Sequence, residues 1–228
     1  VRRIPEHRFD DLIDAASEVF IERGWRRTQM ADIAEAIGVA KGTIYGYVES
    51  KEALFALCLR WASREGPVRR PATLPVPTPP RGQLRQRLKE NLARQAVPPS
   101  LSAALERERA DDPRAELETI LRDLYDLNER NRRGIKLLDR CHDHPEIENL
   151  WQEAGREGSR VAVRRYLERR CRAGQLRDFA SPQLAARMVI ETIATWAVHI
   201  HWDRAPEVFD PADARDNAID FLMRGLLP

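Results

Sequence analysis

Residues 28–55 read TQMADIAEAIGVAKGTIYGYVESKEALF, and Gly38 divides them into two short helical patterns that only a sharp corner can join. Before the corner, Met30, Ile33, Ala34 and Ile37 recur at i, i+3, i+4 and i+7, an apolar stripe about two turns long. A glycine just past the last periodic residue takes the left-handed conformation without a Cβ clash, which the corner of a helix-turn-helix requires. The second helix is predicted from Lys41 to about Tyr47. It holds Gly42 and Gly46, each costing about 1 kcal/mol against alanine in a helix interior. Close approach to a nucleic-acid backbone offsets that cost, because a helix in the major groove presents its N-terminal residues to base edges and tolerates little bulk there.

The polar residues suit that task. Lys41 can reach a guanine edge or a phosphate, and Thr43 can bond a phosphate or pack its methyl on thymine. Tyr45 and Tyr47 offer hydroxyls to phosphate oxygens, and Lys51 can clamp one phosphate more. Taken singly, the tyrosines equally fit core positions and the lysines a solvated face. The spacing is more specific: Ala-x-x-x-Gly-Val, then Lys-Gly-Thr-Ile-Tyr, then a second tyrosine and a Lys-Glu helix start.

With IAEAIGVAKGTIYGYVESKEALF at the signature positions, the stretch closely resembles the DNA-binding domain of the TetR family of transcriptional regulators. The resemblance implies an all-α fold, with a three-helix head and a fourth helix linking it to a C-terminal helical ligand-binding and dimerisation domain. It places Lys41, Gly42, Thr43 and Tyr45 against bases or nearby phosphates, and Tyr47 and Lys51 on the backbone. Thr28 and Gln29, at the entrance to the first reading helix, complete the expected DNA-binding set. Three positions depart from the family pattern. Ala40 stands where relatives often have serine, removing a side-chain N-cap of about 1 kcal/mol. Gln29 stands where Ser or Thr commonly caps, leaving Thr28 as the better local candidate. Gly46 replaces a bulkier residue that often touches DNA.

The flanks agree with this layout. Phe9, Leu12, Ile13, Ala16 and Phe20 form a helical stripe that Gly24 ends, and Asp10, Asp11 and Asp14 favour the start of its dipole. Arg2 and Arg3 form a short arm that either enters a minor groove or hangs in solvent. Overall charge carries no such signal: residues 1–66 hold ten Lys or Arg against eleven Asp or Glu. Placement carries it instead, with Arg26, Arg27, Lys41 and Lys51 bracketing the reading element.

The chain has 228 residues, 43% hydrophobic and 32% charged, which suits a small and a medium helical domain. Three domains are predicted: a DNA-binding head over 1–66, a connector over 67–80 and a helical body over 81–228. The connector holds six prolines and cannot continue a helix. Helices are expected over 82–96, 101–110, 113–131, 132–142 and 145–173, with Gly174 as C-cap of the last. Ser181-Pro182 then opens one helix to about Trp202 and Asp210-Pro211 another to about Leu226, each pairing an N-cap oxygen with proline at the first helical position.

On those final helices Ala186, Ile190, Ile193 and Ala197, with Ala218, Phe221, Leu222 and Gly225, form more apolar surface than one chain needs. The resemblance implies a two-fold four-helix bundle there; an ordinary core is the alternative. A homodimer would set two reading helices on a near-palindromic double-stranded operator with half-sites about 34–36 Å apart or somewhat more. Tyr125, Arg140, His142, Trp151, Trp196 and His199 are the candidate lining of a small-molecule site, with His144 and Trp202 nearby in kind. The C-terminal layout favours an amphipathic effector, and a repressor is the expected sign of regulation.

Metal sensing is the competing reading, since Cys141, His142, Asp143, His144, His199 and His201 are all metal-capable. Their spacing opposes it: His199 and His201 would point about 200° apart on a helix. No cofactor is expected. No Gly-rich phosphate loop, G-x-S-x-G or HExxH is present, so enzyme chemistry is not expected. Cys58, Cys141 and Cys171 form no C-x-x-C and fit reduced thiols. With no apolar stretch of about 18 residues and no secretory signal, the expected location is cytoplasmic and off the membrane.

Overall fold

A computed structural model describes residues 7–62, 71–148, 150, 157–205 and 207–228. Among them are eleven α-helices and one isolated bridge between Val48 and Val76. The backbone divides into two compact units, one of residues 1–88 with 133–151, the other of 89–132 with 152–228.

The first unit begins with α1 (His7–Arg23), whose apolar stripe is the unit's core: Phe9, Leu12, Ile13, Ala16 and Phe20 are all buried. Gly24 ends it at φ 77°, and an added Cβ there would stand 3.0 Å from the Arg140 carbonyl oxygen. Helix α2 (Met30–Ala36) buries Met30, Ile33 and Ala34, and Gly38 turns the chain at φ 65°. Helix α3 (Lys41–Ile44) is a single turn, shorter than the pattern to Tyr47 suggests. Its Ala40 N-cap has no side chain to hold the end, and Gly46 and Tyr47 continue as turns bonded to the Thr43 and Ile44 carbonyls. Helix α4 (Lys51–Trp61) starts properly, with Ser50 Oγ accepting the Ala53 N–H at 3.1 Å.

The proline-rich stretch is not a free connector over its described part, residues 71–80. Val76 exchanges bonds with the head, its N–H to Tyr47 O at 2.8 Å and its carbonyl from Glu49 N–H at 3.0 Å. Thr78 Oγ1 donates to Ser50 Oγ at 2.8 Å. Prolines keep this segment extended and unable to coil, which leaves its non-proline donors for the head. Helix α5 (Gln83–Gln95) follows, and Glu146 accepts from the N–H groups of Gly82, just before it, and Arg85, in its first turn. The compact unit therefore runs to Leu88 rather than stopping at 66, and it recovers 133–151 from the stretch expected to be body.

The second unit holds α6 (Pro99–Leu105), α7 (Pro113–Arg130), α9 (Glu157–Arg172), α10 (Pro182–Ala197) and α11 (Pro211–Leu226). Asp112, Ser181 and Asp210 cap α7, α10 and α11, each followed by proline. The pattern to Trp202 breaks at Val198 into a short 3-10 turn, His199–Trp202. Arg170 is the largest buried side chain of this unit. Its Nε donates to Glu116 at 2.7 Å, and its Nη atoms donate to the carbonyls of Ala104, Arg107 and Glu108. Gln175 adds a reciprocal pair with the Ala110 backbone. Together they pin the loop after α6, whose backbone would otherwise lack partners.

Candidate nucleic-acid interface

The reading element presents a polar outer face over one apolar anchor. Ile44 is fully buried, whereas Lys41, Gly42, Thr43 and Tyr45 are exposed, Tyr45 to 43%. At Gly42 a Cβ would meet no described atom within 4 Å, so packing within the chain makes no demand for glycine there. Gly46 is tighter, its hypothetical Cβ 3.2 Å from the Thr43 carbonyl oxygen. Gln29 is exposed at the start of α2, and its backbone N–H is held by Asp32 Oδ2 at 2.8 Å. Asp32 also pairs with Arg23 at 2.7 Å.

Three expected contacts are spent inside the head instead. Thr28 is buried, and its hydroxyl donates to the Gly24 carbonyl at 2.7 Å, closing the end of α1. Tyr47 is buried, its ring 6.2 Å from that of Phe9. Lys51 Nζ donates to the carbonyls of Trp25 and Thr28, both at 3.0 Å, and lies 4.1 Å from the centre of the Trp25 ring. A lysine at the N-terminus of a helix works against the dipole. Two carbonyls and an indole face held within reach compensate for that.

The tertiary structure adds partners that no local pattern announces. Helix α8 (Arg132–Arg140) and the turn after it bind the head. Arg133 pairs with Asp14 and Glu18, and Arg140 donates to the carbonyls of Ile21 and Glu22. Asp143 accepts from the N–H groups of Trp25 and Arg26 at 3.3 and 3.0 Å. His144 lies between Trp25 and Phe55, with ring centres 4.3 and 5.3 Å away, and its Nδ1 accepts the Glu146 N–H at 3.0 Å. Burial lowers the His144 pKa below its ordinary 6.5, as expected for an imidazole whose charged form loses water. Burial likewise pushes up the Cys141 thiol, which donates to the Phe20 carbonyl.

The expected ligand set is accordingly scattered. Arg140 and His142 belong to the first unit, where Arg140 is a structural tie and His142 stands exposed beside the Asp139 carbonyl. Trp151 lies outside the described residues. Tyr125, Trp196 and His199 share the second unit, where the Tyr125 hydroxyl donates to the Trp196 carbonyl at 3.3 Å. Among the described residues no group of three metal-capable side chains is assembled, and no helix is long and apolar enough to cross a membrane.

The apolar surface of α10 and α11 is also displaced from the expected stripe. Ala186, Ile193, Ala197, Ala218 and Leu222 are buried within the single chain. Ile190 is half-buried, and Gly225 and Phe221 remain exposed. The apolar side chains that do face outward are Leu184, Met188 and Phe221, at 58%, 62% and 71% exposure. Phe221, with Trp196 and Phe209, also lines a cavity of about 860 Å³ between α10 and α11.

Residues 12–58 match the sequence profile described as bacterial regulatory proteins, tetR family. The chain is 42% identical over 50 residues to the HTH-type transcriptional repressor KstR2 of Rhodococcus jostii, covering 22% of this chain and 24% of that one. It is 47% identical over 45 residues to the fatty acid metabolism regulator protein of Bacillus subtilis, covering 20% and 23%. These matches span about a quarter of the relatives' length. Over 99% of this chain and 97% of the other, the fold aligns with the ketosteroid transcriptional regulator KstR2 of Mycobacterium tuberculosis, at a TM-score of 0.58 and 15% identity. Residues 12–58 are thus similar to the helix-turn-helix segment of bacterial regulatory proteins of the tetR family, and they sit in an all-helical fold like that of a solved transcriptional regulator.

Proposed function

We propose that this protein is a transcriptional regulator that binds a near-palindromic double-stranded DNA operator as a homodimer, acting as a repressor released by a small-molecule effector. The outer face of α3 carries the reading. Lys41, Thr43 and Tyr45 stand exposed over Ile44, and Gly42 faces open space that the chain does not fill. A duplex pressed against the helix explains a glycine that internal packing does not. Gln29 flanks this face, while Thr28, Tyr47 and Lys51 hold the helices that present it.

The dimer reading rests on Leu184, Met188 and Phe221, large apolar side chains that a monomer would leave in water. We assign the groove between α10 and α11 to the partner's helices. An amphipathic effector fits the lipid classes in the names of the relatives, a ketosteroid regulator and a fatty acid metabolism regulator. Effector and DNA would then oppose each other by one shared factor, since coupling between two sites is reciprocal.

Selection of bound duplexes from random DNA tests the reading directly. An inverted repeat should emerge, and K41A/T43A/Y45A should lose preference for it over a scrambled duplex while keeping its thermal stability. Enrichment of no sequence, or an unchanged preference in the triple variant, would overturn it.

A further inference from the structure

Helix α3 is too short to hold itself. It spans four residues, has no side-chain N-cap and buries only Ile44. Helices shorter than about 12–15 residues are marginal in water, because too few bonds follow the costly first turn. Its continuation hangs on turn bonds: the Gly46 N–H donates to the Thr43 carbonyl at 3.1 Å, and the Tyr47 and Val48 N–H groups to the Ile44 carbonyl at 2.8 and 3.1 Å. Order at this end has to come from whatever docks on the residues that follow.

The proline-rich segment docks there. In residues 75–80, Pro-Val-Pro-Thr-Pro-Pro, only Val76 and Thr78 carry a backbone N–H. Both donate to the stretch after α3, Val76 to the Tyr47 carbonyl at 2.8 Å and Thr78 to Glu49 Oε2 at 2.9 Å. The Val76 carbonyl accepts the Glu49 N–H at 3.0 Å, so Val48 is bracketed on both sides. Thr78 Oγ1 adds its bond to Ser50 Oγ, the oxygen that caps α4. Prolines beside Val76 and Thr78 fix φ and leave the unfolded segment fewer conformations to lose. The segment therefore docks at a lower entropic cost than a flexible loop of equal length. Residues 71–80 contain no Lys, Arg or His and bring no cation to a phosphate.

We propose that Val76 and Thr78 are positioning residues for DNA reading: bonded to residues 47–50, they keep the C-terminal end of α3 folded and so set how tightly α3 engages its duplex. The effect on DNA rests on α3 being the reading helix. The effect on the order of α3 does not.

Amide hydrogen exchange of the full chain without DNA reads that order. V76P removes the donor to Tyr47, and V76I keeps it. In V76P the amides of Gly46, Tyr47 and Val48 should exchange about ten-fold faster, while those of Ala16 and Phe20 in α1 keep the parental rate. V76I should match the parent throughout. T78V removes one hydroxyl from an exposed residue and should speed the same three amides to a smaller extent, which keeps the test open if V76P misfolds. On the inverted repeat selected from random DNA, V76P should bind about ten-fold more weakly at an unchanged salt slope, yet hold a scrambled duplex as the parent does. A segment that only adds global stability would speed exchange in α1 and at 46–48 alike and leave the operator affinity of the folded protein unchanged. That result, or parental exchange at 46–48 in folded V76P and T78V, would overturn the assignment. A parent that prefers no duplex would overturn the reading of α3 and the affinity effect with it, whereas faster exchange at 46–48 in V76P would still support the strap.

Discussion

Lys51 separates two accounts of the same residue, and replacing it with methionine distinguishes them. The sequence pattern makes it a phosphate clamp, whereas the structure gives its ammonium to the Trp25 and Thr28 carbonyls and the Trp25 ring. Hydrogen bonds from a charged donor contribute about 1.5–3 kcal/mol each, and the low end applies because the site is only part-buried. The cation–π contact adds about 0.5 kcal/mol. Methionine keeps most of the packing of the stem and loses all three contacts, so K51M should destabilise the protein by about 3–4 kcal/mol. Urea denaturation reads this as a lower midpoint at unchanged slope. Operator affinity measured between 50 and 200 mM salt reads the other account. Each neutralised phosphate contributes about −0.9 to the slope of log affinity against log salt. K51M should leave that slope unchanged, and K41A should make it shallower by about 0.9. A K51M protein with parental stability and a shallower slope would refute the reasoning and restore the clamp.

Breaking the Arg170 cluster by R170A or E116A should cost about 3–5 kcal/mol by urea denaturation, because either change strands a buried charge or buried carbonyls. The paired replacement R170M/E116L should recover only part of the loss, since the carbonyls of Ala104, Arg107 and Glu108 still lack donors. T28V keeps the shape and removes the hydroxyl bond to Gly24; a loss of about 1 kcal/mol with an unchanged salt slope is expected. For His144 the folded pKa lies below the unfolded 6.5, so the unfolded chain binds the proton first. Stability from this group is full above 6.5 and falls as pH drops below it toward the folded pKa. H144N should show a flatter profile than the parent over that range.

The helix ends were legible in the sequence because their signals are local. The period of Met30, Ile33 and Ala34, the positive φ at Gly38 and Gly24, and the proline after Ser181 or Asp210 act within a turn or two of the residue concerned. An exposed α3 face followed from the same pattern. Which polar side chains remain free to act did not follow, since Lys41 and Lys51 read alike as a cation near a helix start. Only the second finds two carbonyls and an indole within reach.

What the sequence alone determined is the all-helical plan and the place of the reading element, both written in short-range periodicity and backbone sterics. Tertiary structure decided everything that depends on partners far along the chain. It gave Arg133, Arg140, Asp143 and His144 to the head, across more than a hundred intervening residues. It buried Ala186, Ile193 and Leu222 while turning Leu184 and Met188 outward. The reason is physical: periodicity marks an apolar side of a helix, but the neighbouring helices decide which part of that side is covered.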